Sequence, residues 1–399
     1  MSENSSVFGL RHQARCLAPV TNSTENSQFL VGTVGGKENV VCLLDYDDDD
    51  AIITPTYYKH AEEVWDIVSC PTDKSMLFTC HSPVSGNPQK KRATLWKIPK
   101  DQDNNNDASN NNEDSDDNNN NSNDQHHRNK LVPLATLEHQ GIKKVLWDQQ
   151  QQDRVISIDS SNIYLSSLGD NYTSIKTSLS IDTSSIFSTD TSSPSLRQLQ
   201  NAVLNPHNGY EVVVCGDRQL AGYDTRTNHH SFRMKGYAHD STVRAIDYNP
   251  NKPHHIATGG DDSVVRIWDS RNLTDHLMEI QQHTHWVWDV AFNKLQDQLL
   301  LTSSSDTLVS LYNTISVSSA SYLENEDSSE SEEEDGSDDY DSYSKPVDGL
   351  ICTYDQHEDS VYKVAWSPTD TWTFASISYA GRVVISQVPT SEKFKILGV

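Results

Sequence analysis

AHDSTVRAIDYNPNKPHHIATGGDDSVVRIWD, residues 238–269, decides how the rest of the chain is read. His239 precedes Asp262 by 23 residues, and Asp262 precedes Trp268 by six. Between them short apolar runs are separated by Asn, Pro, Gly and Asp, the residues that terminate strands and make turns. The segment therefore reads as successive antiparallel strands, one blade of a β-propeller. A single blade cannot bury both of its faces, so the chain must contain more of them.

Further copies run along the whole sequence. HTHWVWDVAFNKLQDQLLLTSSSDTLVSLYN (283–313) repeats both spacings, 23 from His283 to Asp306 and six from Asp306 to Tyr312. EDSVYKVAWSPTDTWTFASISYAGRVVISQVP (358–389) follows His357 with the same strand pattern, but has Ala380 in place of the turn Asp and Ser386 in place of the Trp. HAEEVWDIVSCPTDKSMLFTC (60–80) closes on Trp96 after a longer hairpin, and GYEVVVCGDRQLAGYD (209–224) sets Asp217 and Tyr223 six apart. Weaker copies lie at 138–168 and 11–46. Seven copies predict an all-β fold, a single seven-bladed WD40 β-propeller spanning 1–399. Setting aside polar inserts at 101–129, 173–193 and 318–348 leaves 318 residues, about 45 per blade, a usual WD40 length. Val7–Leu10 and Phe394–Val399 are the two candidates for closing the ring.

The formal charge of −26 is unevenly placed. The Asn/Asp-rich insert 101–129 carries −7 and the acidic insert 318–348 carries −11, which leaves about −8 for the propeller. A mildly acidic propeller is a poor partner for nucleic acid. Both inserts lack apolar side chains to bury and read as disordered, and 173–193 reads as a Ser/Thr-rich loop. Ser329 and Ser331 each have an acid three residues on, a pattern compatible with phosphorylation, although a solvated spacer is the favoured reading. The six cysteines are scattered without a CxxC pair, which argues against a disulfide framework or a zinc site. The N-terminus has no signal-peptide pattern, and no apolar run reaches the length of a membrane helix. The expectation is a soluble, cytoplasmic, monomeric propeller.

His239, Thr258 and Asp262 are the residue types of a hydrolase triad, yet with Trp268 they occupy the places of the polar tetrad that locks a WD40 blade. Buried polar groups need such satisfaction, and a closed network rigidifies the blade. Nothing else in the chain suggests catalysis, a metal or a cofactor, and none is expected. Binding chemistry is expected at the channel mouth instead. Aligning blades on Val64, Val243, Val287 and Val361 puts Trp65, Arg244, Trp288 and Tyr362 just after the buried position, with Trp286 just before Val287. Three Trp, one Arg and one Tyr on one rim have the composition of an interface hot spot. A second motif, YDTR (223–226) and WDSR (268–271), ends two successive blades. It resembles the W/Y-D-x-R motif by which some WD40 proteins dock onto the adaptor of cullin-type ubiquitin ligases, here through Arg226 and Arg271.

Several blocks are more specific than the generic blade: FGLRHQARCLAP and FLVGT near the start, NPNKPHHIATGGDDSVVRIWDSRN, HTHWVWDVAFNKLQDQLLLTSSSD, and YDQHEDSVYKVAWSPTDTWTFASISYAGRVVISQVP. In content and order they resemble the EARP and GARP complex-interacting proteins, a WD-repeat family of endosomal and trans-Golgi traffic. The long Asn-rich insert and Ala380 depart from the pattern. The resemblance implies a non-enzymatic partner of two related tethering complexes, one serving endocytic recycling and the other retrograde delivery to the trans-Golgi network. It also implies peripheral association with those membranes. A ubiquitin-ligase substrate receptor is the alternative.

Overall fold

The computed structural model describes residues 5–84, 90–99, 129–183, 198–322 and 347–398. Seven sheets, antiparallel but for one short added strand, follow one another along the chain. In each blade the innermost strand contacts the innermost strand of the next, and the last, Val361–Trp366, contacts the first, Gln13–Pro19, so the ring is closed. Seven apolar clusters lie between neighbouring blades rather than inside any one of them. Burying each blade against its neighbours solves the problem that a lone blade faces.

Close approach of blades explains a glycine. A Cβ at Gly259 would lie 2.5 Å from Cγ1 of Val287 on the next blade's inner strand, nearer than real contacts allow. The six cysteines are unpaired thiols, five of them buried.

The seventh blade is built from both ends of the chain. Ser5–Gly9 pairs antiparallel with Arg382–Gln387, Val7 opposite Val384. The N-terminal segment therefore closes the ring. Phe394, part of the other candidate, lies in the helix Thr390–Leu397, half exposed.

The insert boundaries need correction. Within the loop expected at 173–193, Ile175–Asp182 forms the outer strand of the third blade, paired to Asn162–Leu168. Ile175, Leu179 and Ile181 alternate with polar residues there, and the Ser/Thr content hides that period of two. Within 318–348, Ser318 is buried, and Ser319 donates backbone N–H and Oγ–H to Asp297 at 2.8 and 2.6 Å. The last residue of the first insert, Asn129, and the adjoining Lys130 pair in parallel with Tyr58 and Lys59. The rest of the first and third inserts, Ser329 and Ser331 included, lies outside the described residues apart from Ala320–Tyr322 and Val347–Asp348.

Candidate functional site

The buried polar residues of each blade set the stage. His239 Nε2 lies 2.8 Å from Thr258 Oγ1, which accepts the Trp268 indole N–H at 2.9 Å, while His239 Nδ1 lies 2.9 Å from Asp262. Asp262 also accepts the Asp240 backbone N–H at 3.0 Å and Arg266 Nη1 at 3.1 Å. Burial alone would raise its pKa; the His239 bond and charge and these donors outweigh it and hold the carboxyl well below the usual range. With both carboxylate and hydroxyl engaged in holding loop to strand, the set is a structural lock. The sixth blade repeats it: His283 is 2.9 Å from Asp306 and 2.7 Å from Thr302.

Two further blades keep the histidine but change its partners. In the second, His60 Nδ1 meets the backbone carbonyl of Glu62 at 2.7 Å, and the Glu62 side chain instead takes His81 and Arg92, each at 2.5 Å. In the last blade His357 Nε2 reaches Ser376 Oγ at 2.7 Å, but Nδ1 is buried without a partner because Ala380 offers none. Burial and the nearby Arg382 push His357 down to about 4.

The mouth of the channel owes its shape to a repeated irregularity. In six inner strands the ladder skips one residue: Arg15, Trp65, Gln200, Arg244, Trp288 and Tyr362. In the third blade Lys143 and Lys144 share Ile158 as partner, Lys143 through its backbone N–H at 2.8 Å. A bulge leaves one residue out of the pairing and re-aims its side chain. Each re-aimed side chain is met by the residue 17 positions later in four blades: Trp65 by Ser82, Arg244 by Asp261, Trp288 by Ser305 and Tyr362 by Tyr379.

These side chains touch across five blades. Arg244 lies 4.8 Å from the Trp288 ring centre and 5.4 Å from that of Trp286, and Trp288 is 4.6 Å from Tyr362. Arg15 sits over Tyr362 at 4.6 Å, Tyr379 at 4.9 Å and Trp65 at 5.3 Å; Lys91 lies over the same Trp65 at 4.3 Å. Trp65, Arg244, Trp286, Trp288 and Tyr362 thus belong to one arc, and Trp286 remains 40% exposed. Sequence reasoning missed Arg15, Lys91 and Tyr379. Extending the alignment to Ala14 in the first blade would have exposed Arg15, and the interval of 17 would have exposed Tyr379. Lys91 comes from the long hairpin of the second blade, outside any repeat.

Polar contacts also join neighbouring inner strands. Lys363 Nζ is 2.8 Å from Asp289, and Lys144 Nζ is 2.6 Å from the Asn201 side-chain oxygen. Asp247, pushed up to about 6 by burial, accepts the Phe292 backbone N–H at 2.8 Å. These contacts cross between blades, so they tie the inner strands together.

Arg226 and Arg271 lie apart from the arc. Each folds back on the Asp two residues earlier, Arg226 Nη2 to Asp224 at 2.7 Å and Arg271 Nη2 to Asp269 at 2.6 Å, and both side chains are more than half exposed. Among the described residues no group of three or more His, Cys, Asp or Glu could hold a metal ion, and no helix is long and apolar enough to cross a membrane.

Comparison with known proteins follows the same outline. The family model described as the EIPR1 beta-propeller matches residues 2–312, and a WD domain, G-beta repeat model matches 349–385. The chain is 34% identical to EARP and GARP complex-interacting protein 1 of Homo sapiens, covering 98% of both chains. It is 35% identical to the EARP-interacting protein homolog of Gekko japonicus and 32% identical to EARP-interacting protein 1 of Caenorhabditis elegans, again over 98% of each.

Proposed function

Since the chain belongs to the EIPR1 beta-propeller family, we propose that it is a non-enzymatic scaffold that binds the EARP and GARP complexes through its channel mouth. In this reading it supports endocytic recycling and endosome-to-Golgi transport, acting from the cytoplasm at trans-Golgi and endosomal membranes. The observation that carries it is the unbroken aromatic and cationic arc from Trp65 to Arg244. Rigid aromatic and Arg side chains give much contact area for little conformational entropy, the composition of an interface anchor. The relatives' names supply the identity of the partner.

Trp288→Ala or Arg244→Glu should therefore weaken co-purification with EARP and GARP subunits. An anchor of this kind contributes about 2 kcal/mol or more, roughly a thirtyfold change in affinity. Arg226→Ala with Arg271→Ala serves as the control, because that pair would matter to a cullin-ligase adaptor. Mass spectrometry of the purified chain reads both: EARP and GARP subunits lost only from the rim variants support the proposal. Undiminished subunits in folded rim variants, with ligase adaptor and cullin lost from the double Arg variant, would move the interface to Arg226 and Arg271.

A further inference from the structure

Two cations of the arc, Arg15 and Lys91, have neither a hydrogen-bond nor an ion-pair partner for the side chain among the described residues. Arg244 is bidentate to Asp261, with Nη2 at 2.8 Å, and Lys143 donates to the Leu199 carbonyl at 2.7 Å. Arg15 and Lys91 pair with no carboxylate among the described residues, and the Arg15 Nε–H is buried with no acceptor. Register gives the reason for Arg15. In four other blades the residue after the one opposite the buried inner position meets the rim side chain; in the first blade that residue is Val34, apolar and buried. Arg15 leans instead on the rings of Trp65, Tyr362 and Tyr379. Those rings attract its charge, but they leave its fork of N–H donors without lone pairs to bond in the ring plane.

Lys91 approaches the same indole as Arg15, at 4.3 Å against 5.3 Å, so the two charges lie within about one Debye length, about 10 Å, of each other. Burial depresses the Lys91 ammonium, and repulsion from Arg15 adds to that. Both side chains are only partly buried; a carboxylate placed there would relieve both charges and could bond Arg15 bidentately. Beyond it, Trp288 and the exposed Trp286 offer apolar stacking along the same arc.

We propose that the mouth holds an acidic peptide segment of the partner, with a carboxylate at Arg15 and Lys91 beside Trp65 and apolar side chains on Trp288 and Trp286. The inference rests on the channel mouth being the partner-binding face. A peptide fits better than a single phosphate because cations and rings alternate around the arc instead of converging on one point. It fits better than an anionic membrane because a chain of charge −26 is repelled by such a surface.

Binding of purified EARP complex to the immobilised full chain, followed across ionic strength, tests this. Arg15→Gln with Lys91→Gln should weaken binding about tenfold or more at low salt and flatten its salt dependence, whereas Arg15→Lys with Lys91→Arg, which keeps both charges, should keep the salt dependence. Lys91→Gln alone, on a surface hairpin, should show a smaller loss and keeps the test open should Arg15→Gln not fold. If the folded Gln variants bind as the unaltered chain does while Trp288→Ala does not, the acidic-peptide inference fails and the rim stands. If Trp288→Ala also binds normally, the rim itself fails. Phosphoinositide vesicles that bind the unaltered chain and lose the Gln variants, with EARP binding unchanged, would give the cations to a lipid and overturn the inference.

Discussion

Ala380→Asp should stabilise the last blade, more strongly at mildly acidic pH than at neutrality. His357 Nδ1 is buried and unpaired, while the corresponding nitrogens of His239 and His283 meet Asp262 and Asp306 at 2.9 Å. The turn geometry matches: Ser263, Thr307 and Gly381, each following the acid position, have φ of 66°, 73° and 80°. Ala380 is exposed, so a carboxylate there needs no room in the core. Its siblings also accept the backbone N–H after the histidine at 3.0 Å, a bond the Glu358 N–H would gain. Satisfying a buried orphan contributes about 1–3 kcal/mol, offset in part by desolvating the new carboxylate, so about 1 kcal/mol and a rise of about 1–2 °C are expected at pH 7.5.

The pH dependence sharpens the test. His357 titrates near 4 when folded against about 6.5 unfolded, so the unfolded chain binds the extra proton. Its contribution is complete above about pH 6.5 and declines as pH falls toward 4, by roughly 2 kcal/mol at pH 5. An Asp at 380 would favour the protonated ring and remove most of that decline. The advantage of the variant should therefore grow between pH 7.5 and 5, read by thermal melts at both. An advantage that is absent, or that shrinks on acidification, would refute the assignment of His357 as an unsatisfied buried base.

Asp262→Ala should cost about 1–3 kcal/mol in denaturant melts, because it strips acceptors from His239, Asp240 and Arg266; a thermally silent variant would mean that the lock does not hold the fifth blade. Removing residues 101–128 and 323–346 together should leave the melting temperature nearly unchanged, since long loops cost little closure entropy, whereas starting the second deletion at Ser318 should lower it through loss of the Asp297 contacts. Deleting residues 1–9 should destabilise far more than either, exposing the edge of Arg382–Gln387; equal melting curves would show that the ring closes without that strand.

Blade count, lock and rim were legible in the sequence for one physical reason: they sit at fixed intervals within a repeated unit. The 23-residue interval from His239 to Asp262 reflects one closed hydrogen-bonded circuit, so each copy that keeps the circuit keeps the number. Trp65, Arg244, Trp288 and Tyr362 were found through the buried residue that precedes each. Where polar composition outweighed periodicity the reading failed, as at Ile175–Asp182, whose outer-strand burial is too shallow to demand a strong apolar pattern. What tertiary structure alone decided are relations between blades: that the N-terminal strand completes the seventh, that Lys91 and Arg15 share Trp65, and that Arg15 finds Val34 where its counterparts find a polar or aromatic partner. Such contacts depend on ring closure and on ladder register. Both are settled by packing among distant segments, and no spacing within one repeat records them.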